Sequence, residues 1–169
     1  MPTDSSLTSA VVTESNKGEG VNTAPGTVVT LNADAVEGKI GTACPVPASS
    51  EAFRLTINKI ELTDERNAAA QSADRVVRIS YTYSNTGSDT SLLVGMTSFR
   101  LLDADGKACQ IYYFDTAADS EASAQPALKG ASSTAAIGFI LPDGSKEATL
   151  VYDDQQTQSG TEYYWKAAL

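Results

Sequence analysis

The sequence predicts an all-β domain, an antiparallel β-sandwich of eight to nine strands. Three observations carry that reading. Apolar and polar residues alternate with period two in run after run. Turn residues interrupt these runs about every ten residues. No stretch has the apolar spacing of an amphipathic helix. All 12 aromatic residues of the 169-residue chain lie between Phe53 and Trp165, which places the core in the later two-thirds.

Residues 1–25 read as a Ser/Thr-rich tail. They hold too little apolar surface to offset their ordering entropy and are expected to be flexible. Residues 26–50 read as a connector with one candidate strand, Thr27 to Leu31, between Pro25-Gly26 and Asn32-Ala33-Asp34. The sandwich domain is assigned to residues 51–169. Phe53, Leu55 and Ile57 alternate with polar partners, and then the parity changes to Ile60 and Leu62. A one-residue slip would expose the second half, so a β-bulge is expected near Asn58-Lys59. Residues 64–74 form a polar loop. Val77, Ile79, Tyr81 and Tyr83 make the cleanest strand, stopped by Asn85-Thr86-Gly87. Leu92 to Val94 is a short strand. Phe99 and Leu101 lead into Asp103-Ala104-Asp105-Gly106, and Cys109, Ile111 and Tyr113 share the next inward parity. Asp-Gly between alternating runs is a hairpin signal. Residues 115–131 form the longest internal loop, with room for a helical turn. Ala135, Ile137, Phe139 and Leu141 make the next strand, Leu150 and Tyr152 another, and Glu162 to Ala167 the last. In that last strand Tyr163 and Trp165 share one face and Tyr164 the other.

The net charge of −9 disfavours binding to nucleic acid, whose phosphates such a surface repels. Nothing approaches the roughly 18 consecutive apolar residues of a spanning helix. Residues 1–6 have neither the basic start nor the apolar stretch of a signal peptide. Either the chain is cytosolic or its signal has been cut away; the Ser/Thr-rich tail favours the second, so we expect an extracellular, surface-tethered chain whose signal and lipid-acceptor segments have been removed. Membrane contact would then come only through a lipid anchor that this chain lacks. Histidine is absent, which removes the commonest general base and metal ligand.

An aromatic strand ending in Asn85-Thr86-Gly87, the hairpin Phe99-Arg100-Leu101-Leu102-Asp103-Ala104-Asp105-Gly106-Lys107, and a late strand after Gly130 ending in Phe139-Ile140-Leu141-Pro142 together carry a likeness. Over about residues 53–152 the chain resembles the uncharacterised immunoglobulin-like domains of exported Gram-positive lipoproteins, themselves similar to a small secreted mycobacterial antigen. The resemblance implies export, an immunoglobulin-like sandwich and no catalytic site to transfer. The family's N-terminal lipid-acceptor cysteine has no counterpart here.

The candidate chemistry is sparse. Asp103, Asp105 and Gly106 imitate the start of a calcium loop, but Lys107 and Ala108 follow and the closing Glu is missing, so a hairpin turn is preferred. Asp115, Asp119 and Glu121 form a second acidic group and Asp153-Asp154 a third. They could hold a hard cation if their loops converged, and are otherwise solvated loop acids. No Gly-x-Ser-x-Gly elbow is present. Tyr164, with Asp115, Asp119 and Glu121, makes up the candidate ligand surface. No catalytic residue, metal ligand or cofactor is assigned. Cys44 and Cys109 are expected to form a disulfide across the domain, the alternative being two unpaired thiols with Cys109 a small core residue. The expected function is a non-catalytic binding or adhesion module for an unknown protein or surface ligand. A carboxylate-dependent hydrolase and a structural spacer are the alternatives.

Overall fold

The computed structural model describes residues 24–67 and 75–169. Most of the tail (1–23) and residues 68–74 of the polar loop lie outside the described residues.

Two sheets, antiparallel except for one edge strand, pack face to face, as the alternation requires. The five-stranded sheet has the order β2 (Cys44–Val46), β3 (Phe53–Thr63), β4 (Arg75–Asn85), β7 (Ser132–Leu141), β6 (Gln110–Tyr112). The four-stranded sheet has the order β1 (Val36–Glu37), β9 (Glu162–Ala168), β8 (Glu147–Asp153), β5 (Phe99–Leu102), with β1 parallel to β9. Among the described residues no helix is long and apolar enough to cross a membrane.

The core lies between the sheets. Val77, Ile79, Tyr81 and Tyr83 face Phe99, Leu101, Leu150, Tyr152, Tyr163 and Trp165, all of them buried. Burying this much aromatic and branched surface is the main stabilising term, at about 25 cal/mol per Å². The bulge falls where the parity change puts it. Register shifts between Ile57 and Lys59, so Ile57 and Ile60 both point inward. Trp165 packs so tightly on Gly38 that an added Cβ there would lie 2.2 Å from the indole nitrogen.

Three expectations are corrected. Cys44 and Cys109 are free thiols. Cys44 is fixed in β2 opposite Leu55, at one edge of the five-stranded sheet, and Cys109 precedes β6 at the other edge. Four strand spacings separate those edges, about 19 Å, where a disulfide tolerates a Cα separation of about 7 Å. Burial raises the Cys44 thiol, and burial followed by the nearby Asp103 carboxylate pushes Cys109 up to about 12. Second, the Asp103–Gly106 turn forms, with Gly106 at φ 78° and the Cys109 N–H donating to Leu101 O at 2.8 Å. The chain then changes sheets, however, and β6 pairs with β7 instead of continuing the hairpin. Tyr113 consequently lies past the strand end and is 60% exposed, while Tyr112 and Phe114 are the buried pair. Third, Thr27 to Leu31 forms a single bridge, Val28 to Lys107, and no strand.

Residues 24–35 cross the outer face of the four-stranded sheet before the chain enters β1. Val29 and Leu31 cover Leu102, Ala108 and Val151, with Tyr164 beside them. Backbone bonds from Gly26 to Ala108 and from Val29 to Gly106 hold this arm in place.

Candidate functional site

The most elaborate polar cluster sits on the outer face of the five-stranded sheet. Arg78 alternates with the inward Val77 and Ile79, so its guanidinium points out of β4. The residue beside it on β7 is Gly138. An added Cβ at Gly138 would lie 2.6 Å from the Tyr112 carbonyl oxygen and 2.8 and 2.9 Å from the Phe114 ring. Glycine therefore lets Phe114 lie against β7. Phe114 packs edge-on to Tyr112 at 5.6 Å, and with Val76 they form a satellite apolar cluster, flanked by Ile140 and Ala122.

From Phe114 the chain runs over β7 towards β4. A short 3₁₀ turn, Ser120–Ala122, is started by Asp119, whose Oδ1 accepts the Glu121 N–H at 3.0 Å. That turn brings two acids onto Arg78. Arg78 Nε and Nη2 donate to Asp119 at 3.1 to 3.2 Å, and Nη2 donates to Glu121 Oε1 at 3.0 Å. A third acid arrives from the end of β3, with Glu65 Oε1 3.3 Å from Arg78 Nε. The same loop is tied to the β6 side. Asn67 N–H donates to Tyr112 Oη at 3.0 Å, and Asn67 Nδ2 donates to the Tyr113 carbonyl at 2.6 Å.

The electrostatics follow from three carboxyls around one guanidinium. Burial, then the hydrogen bond and negative charge of Asp119, raise the Glu65 carboxyl above its ordinary range. Burial opposes ionisation of Asp119 too, but hydrogen bonds from Glu65, the Glu121 N–H and Arg78 outweigh it and lower its pKa. Arg78 loses hydration, yet Glu121 and Asp119 together raise it.

The remaining candidate residues are placed as follows. Asp115 turns back on its own loop, its Oδ1 accepting the Ala117 N–H at 2.9 Å. Tyr164 lies on the outer face of the four-stranded sheet, donating to Glu37 Oε1 at 3.4 Å, with Lys166 Nζ 5.9 Å from its ring centroid. The structure thus brings Asp119 and Glu121 together and places Tyr164 on the opposite face of the sandwich. Asp103 Oδ1 is taken up by the N–H groups of Asp105 and Lys107 at 2.8 and 2.9 Å. Asp154 holds the turn after β8, accepting from Thr157 and Ser159. Among the described residues no group of three His, Cys, Asp or Glu side chains is arranged to hold a metal ion.

Sequence reasoning missed Arg78, Glu65, Arg100 and Glu162 as partners. Arg100 Nη2 donates to Glu162 Oε2 at 2.9 Å, and both residues are buried beneath the arm. Glu162 Oε1 also accepts the Asn32 N–H at 2.6 Å. The available signal was an outward arginine in a strand that holds no acid, which needs one from elsewhere. A cleft of about 270 Å³ opens where β5 and β6 diverge, lined by Phe99, Cys109, Ile111 and Phe139, with Tyr113 at its rim.

No family model and no curated protein sequence matches the chain. Solved structures do. The secreted protein MPT63 of Mycobacterium tuberculosis superposes with a TM-score of 0.60 at 15% identity, covering 80% of this chain and 100% of that one. The yjhA protein of Bacillus subtilis gives 0.58 at 19% identity, over 76% and 97%. The predicted lipoprotein ycdA of Bacillus subtilis gives 0.57 at 16% identity, over 70% of this chain and 37% of the lipoprotein. The chain shares their fold. At these identities the likeness is one of architecture, and it agrees with the immunoglobulin-like sandwich expected from the sequence.

Proposed function

We propose that this chain is a non-catalytic binding or adhesion module of an exported bacterial surface protein. The observation that carries the reading is how the surface acids are used. Asp119 and Glu121 are bound to Arg78, Glu162 is bound to Arg100, and Asp103, Asp115 and Asp154 close their own turns. A glycoside hydrolase keeps two carboxyl groups about 5 Å or more apart across a cleft. Here Glu65 and Asp119 both close on one guanidinium, with Glu65 Oε1 3.3 Å from Arg78 Nε and Asp119 Oδ2 3.1 Å from Arg78 Nη2. Export is supported by the fold, which the secreted mycobacterial protein and the predicted lipoprotein share. The ligand surface favoured by this reading is the loop 115–122 with its flanking aromatics. The test is co-sedimentation of the full chain with isolated Gram-positive cell walls, beside a turnover screen over ester, peptide and glycoside substrates. Saturable binding without turnover is expected. Turnover that disappears in Asp119→Asn would replace this reading with a hydrolase.

A further inference from the structure

Asn85 ends β4, is 1% exposed and ties two loops together. Its N–H donates to the Ala131 carbonyl at 2.9 Å, and its own carbonyl accepts the Gly130 N–H at 2.7 Å. Its side-chain amide donates to the Thr90 and Ala127 carbonyls at 2.9 and 3.1 Å and accepts the Ser88 N–H at 3.0 Å. Leu92 and Ala127 then exchange both backbone bonds, at 2.8 and 2.7 Å. From the turn between β8 and β9, Gln156 Nε2 donates to the Leu93 carbonyl at 2.8 Å. Residues 86–94 and 125–131 therefore form one hydrogen-bonded platform at the end of the sandwich. A surface fixed in this way loses little further freedom when it is covered.

Two leucines stand on the platform. Side chains alternate faces along each arm of an antiparallel pair. Leu92 and Ala127 turn inward, at 5% and 1% exposed, so Leu93 and Leu128 turn outward, at 46% and 69%. They are diagonal neighbours across the pair, roughly 7–8 Å apart. Beside Leu93 a cleft of about 320 Å³ opens between the sheets, lined also by Tyr81, Met96, Ala122, Ala124 and Ile137. Its lining is largely apolar, and Tyr81 spends its hydroxyl on the Val94 carbonyl at 2.7 Å. One surface thus carries both an apolar knob and an apolar hole.

Charge decides which partner fits. Two copies of a chain at −9 repel each other unless they meet where both signs are present. Within 86–94 and 125–131 the charged residues are Asp89 and Lys129, one of each sign. They lie 2.8 Å apart and are 89% and 55% exposed. Asp154 of the neighbouring turn is buried and accepts from Thr157 and Ser159. Glu121, which leads into the cleft wall, is held by Arg78.

We infer that this platform is the contact of a two-fold homodimer, in which Leu128 of each copy enters the cleft beside Leu93 of the other. A two-fold axis over the platform also sets Lys129 of each copy against Asp89 of the other. A knob and a hole on the same surface make it self-complementary, which is what an isologous contact requires. The patch is small, so the dimer is weak and its subunits exchange. The inference concerns self-association and is independent of whether a ligand binds at 115–122.

Sedimentation equilibrium of the full chain tests it, in reducing buffer so that Cys44 and Cys109 form no cross-links. The mass should rise from that of one chain toward that of two between about 1 μM and about 300 μM. Leu128→Asp places a carboxylate in the apolar cleft and should weaken association at least about tenfold, with the melting temperature unchanged. Tyr113→Asp, at an aromatic that is 60% exposed but off the platform, should associate as the wild type does. A single-chain mass at about 300 μM overturns the inference. So does association of Leu128→Asp as tight as the wild type's, or an equal loss in Tyr113→Asp. If Leu128→Asp does not fold, the amide NMR shifts of the wild type on dilution decide. Changes centred on residues 88–97 and 122–130 support the dimer, and no change, or changes centred elsewhere, overturn it.

Discussion

Arg100 and Arg78 both point out of a sheet, and both are met by acids from distant parts of the chain. Their surroundings separate them. Arg100 and Glu162 are 4% and 1% exposed under the N-terminal arm, whereas Arg78 is 18% exposed and Glu121 41%. The first pair is desolvated, so neither charge can turn to water when the other is removed. The second remains in contact with solvent. The same two chemical groups therefore act as a seal on one face and as an adjustable contact on the other. The difference comes from what lies above them: an arm held by backbone hydrogen bonds, or a loop held largely by the charges themselves.

The sharpest way to break the contrast is Glu162→Ala. Removing one member of a buried pair leaves a desolvated cation and frees the Asn32 N–H, so unfolding free energy should drop by about 3–5 kcal/mol in a urea titration. A loss below about 1 kcal/mol would show that water reaches Arg100 and that the two faces are alike.

Gly138→Ala tests the support beneath the open cluster. The new methyl group meets a carbonyl oxygen and a ring inside contact distance, which should cost about 1–3 kcal/mol. Proteolysis should then cut first within residues 115–122, ahead of the strands. Cleavage that begins elsewhere would separate the loop from Gly138.

Arg78→Met should cost about 1 kcal/mol by the same titration, because its partners regain water when they are released. A loss as large as that of Glu162→Ala would erase the distinction between the faces.

The smallest effect is the pH dependence of the open cluster. Asp119 is lowered in the folded state, so its contribution is complete above the ordinary aspartate range and lost as pH falls through its folded value. Glu65 is raised, so its contribution is complete below the ordinary glutamate range and lost as pH rises through its folded value. Stability curves of wild type and Glu65→Gln should therefore separate in favour of the variant as pH rises from about 5 to about 7. Parallel curves would place the Glu65 proton in bulk solvent.

The alternating strands were legible because period-two burial is written into adjacent residues. So was the bulge, since Ile57 and Ile60 cannot both be buried without an extra residue between them. The inward pair Tyr163 and Trp165 followed from the same rule. Sheet membership was not legible. Nothing local in Cys109-Gln110-Ile111 says that the chain leaves β5 for β7, and that change turned Tyr112 and Phe114 into the buried pair in place of Tyr113. The candidate site was half legible. Asp119 and Glu121 stood out as loop acids, but Arg78 is 41 residues away from Asp119 in sequence, and only the strand order places them together. Glu65 was hidden because it is one of several charged residues in a polar loop without a repeating pattern.

The two sulfurs stand at opposite edges of one sheet, too far apart to meet within a molecule. Any disulfide found in an oxidised preparation must therefore join two copies or capture a small thiol. Bands of doubled mass on a non-reducing gel would then measure storage history and protein concentration, not native assembly. Conversely, a reductant should leave the melting temperature of fresh protein unchanged, so the domain can be prepared in a reducing or an oxidising compartment and reach the same fold.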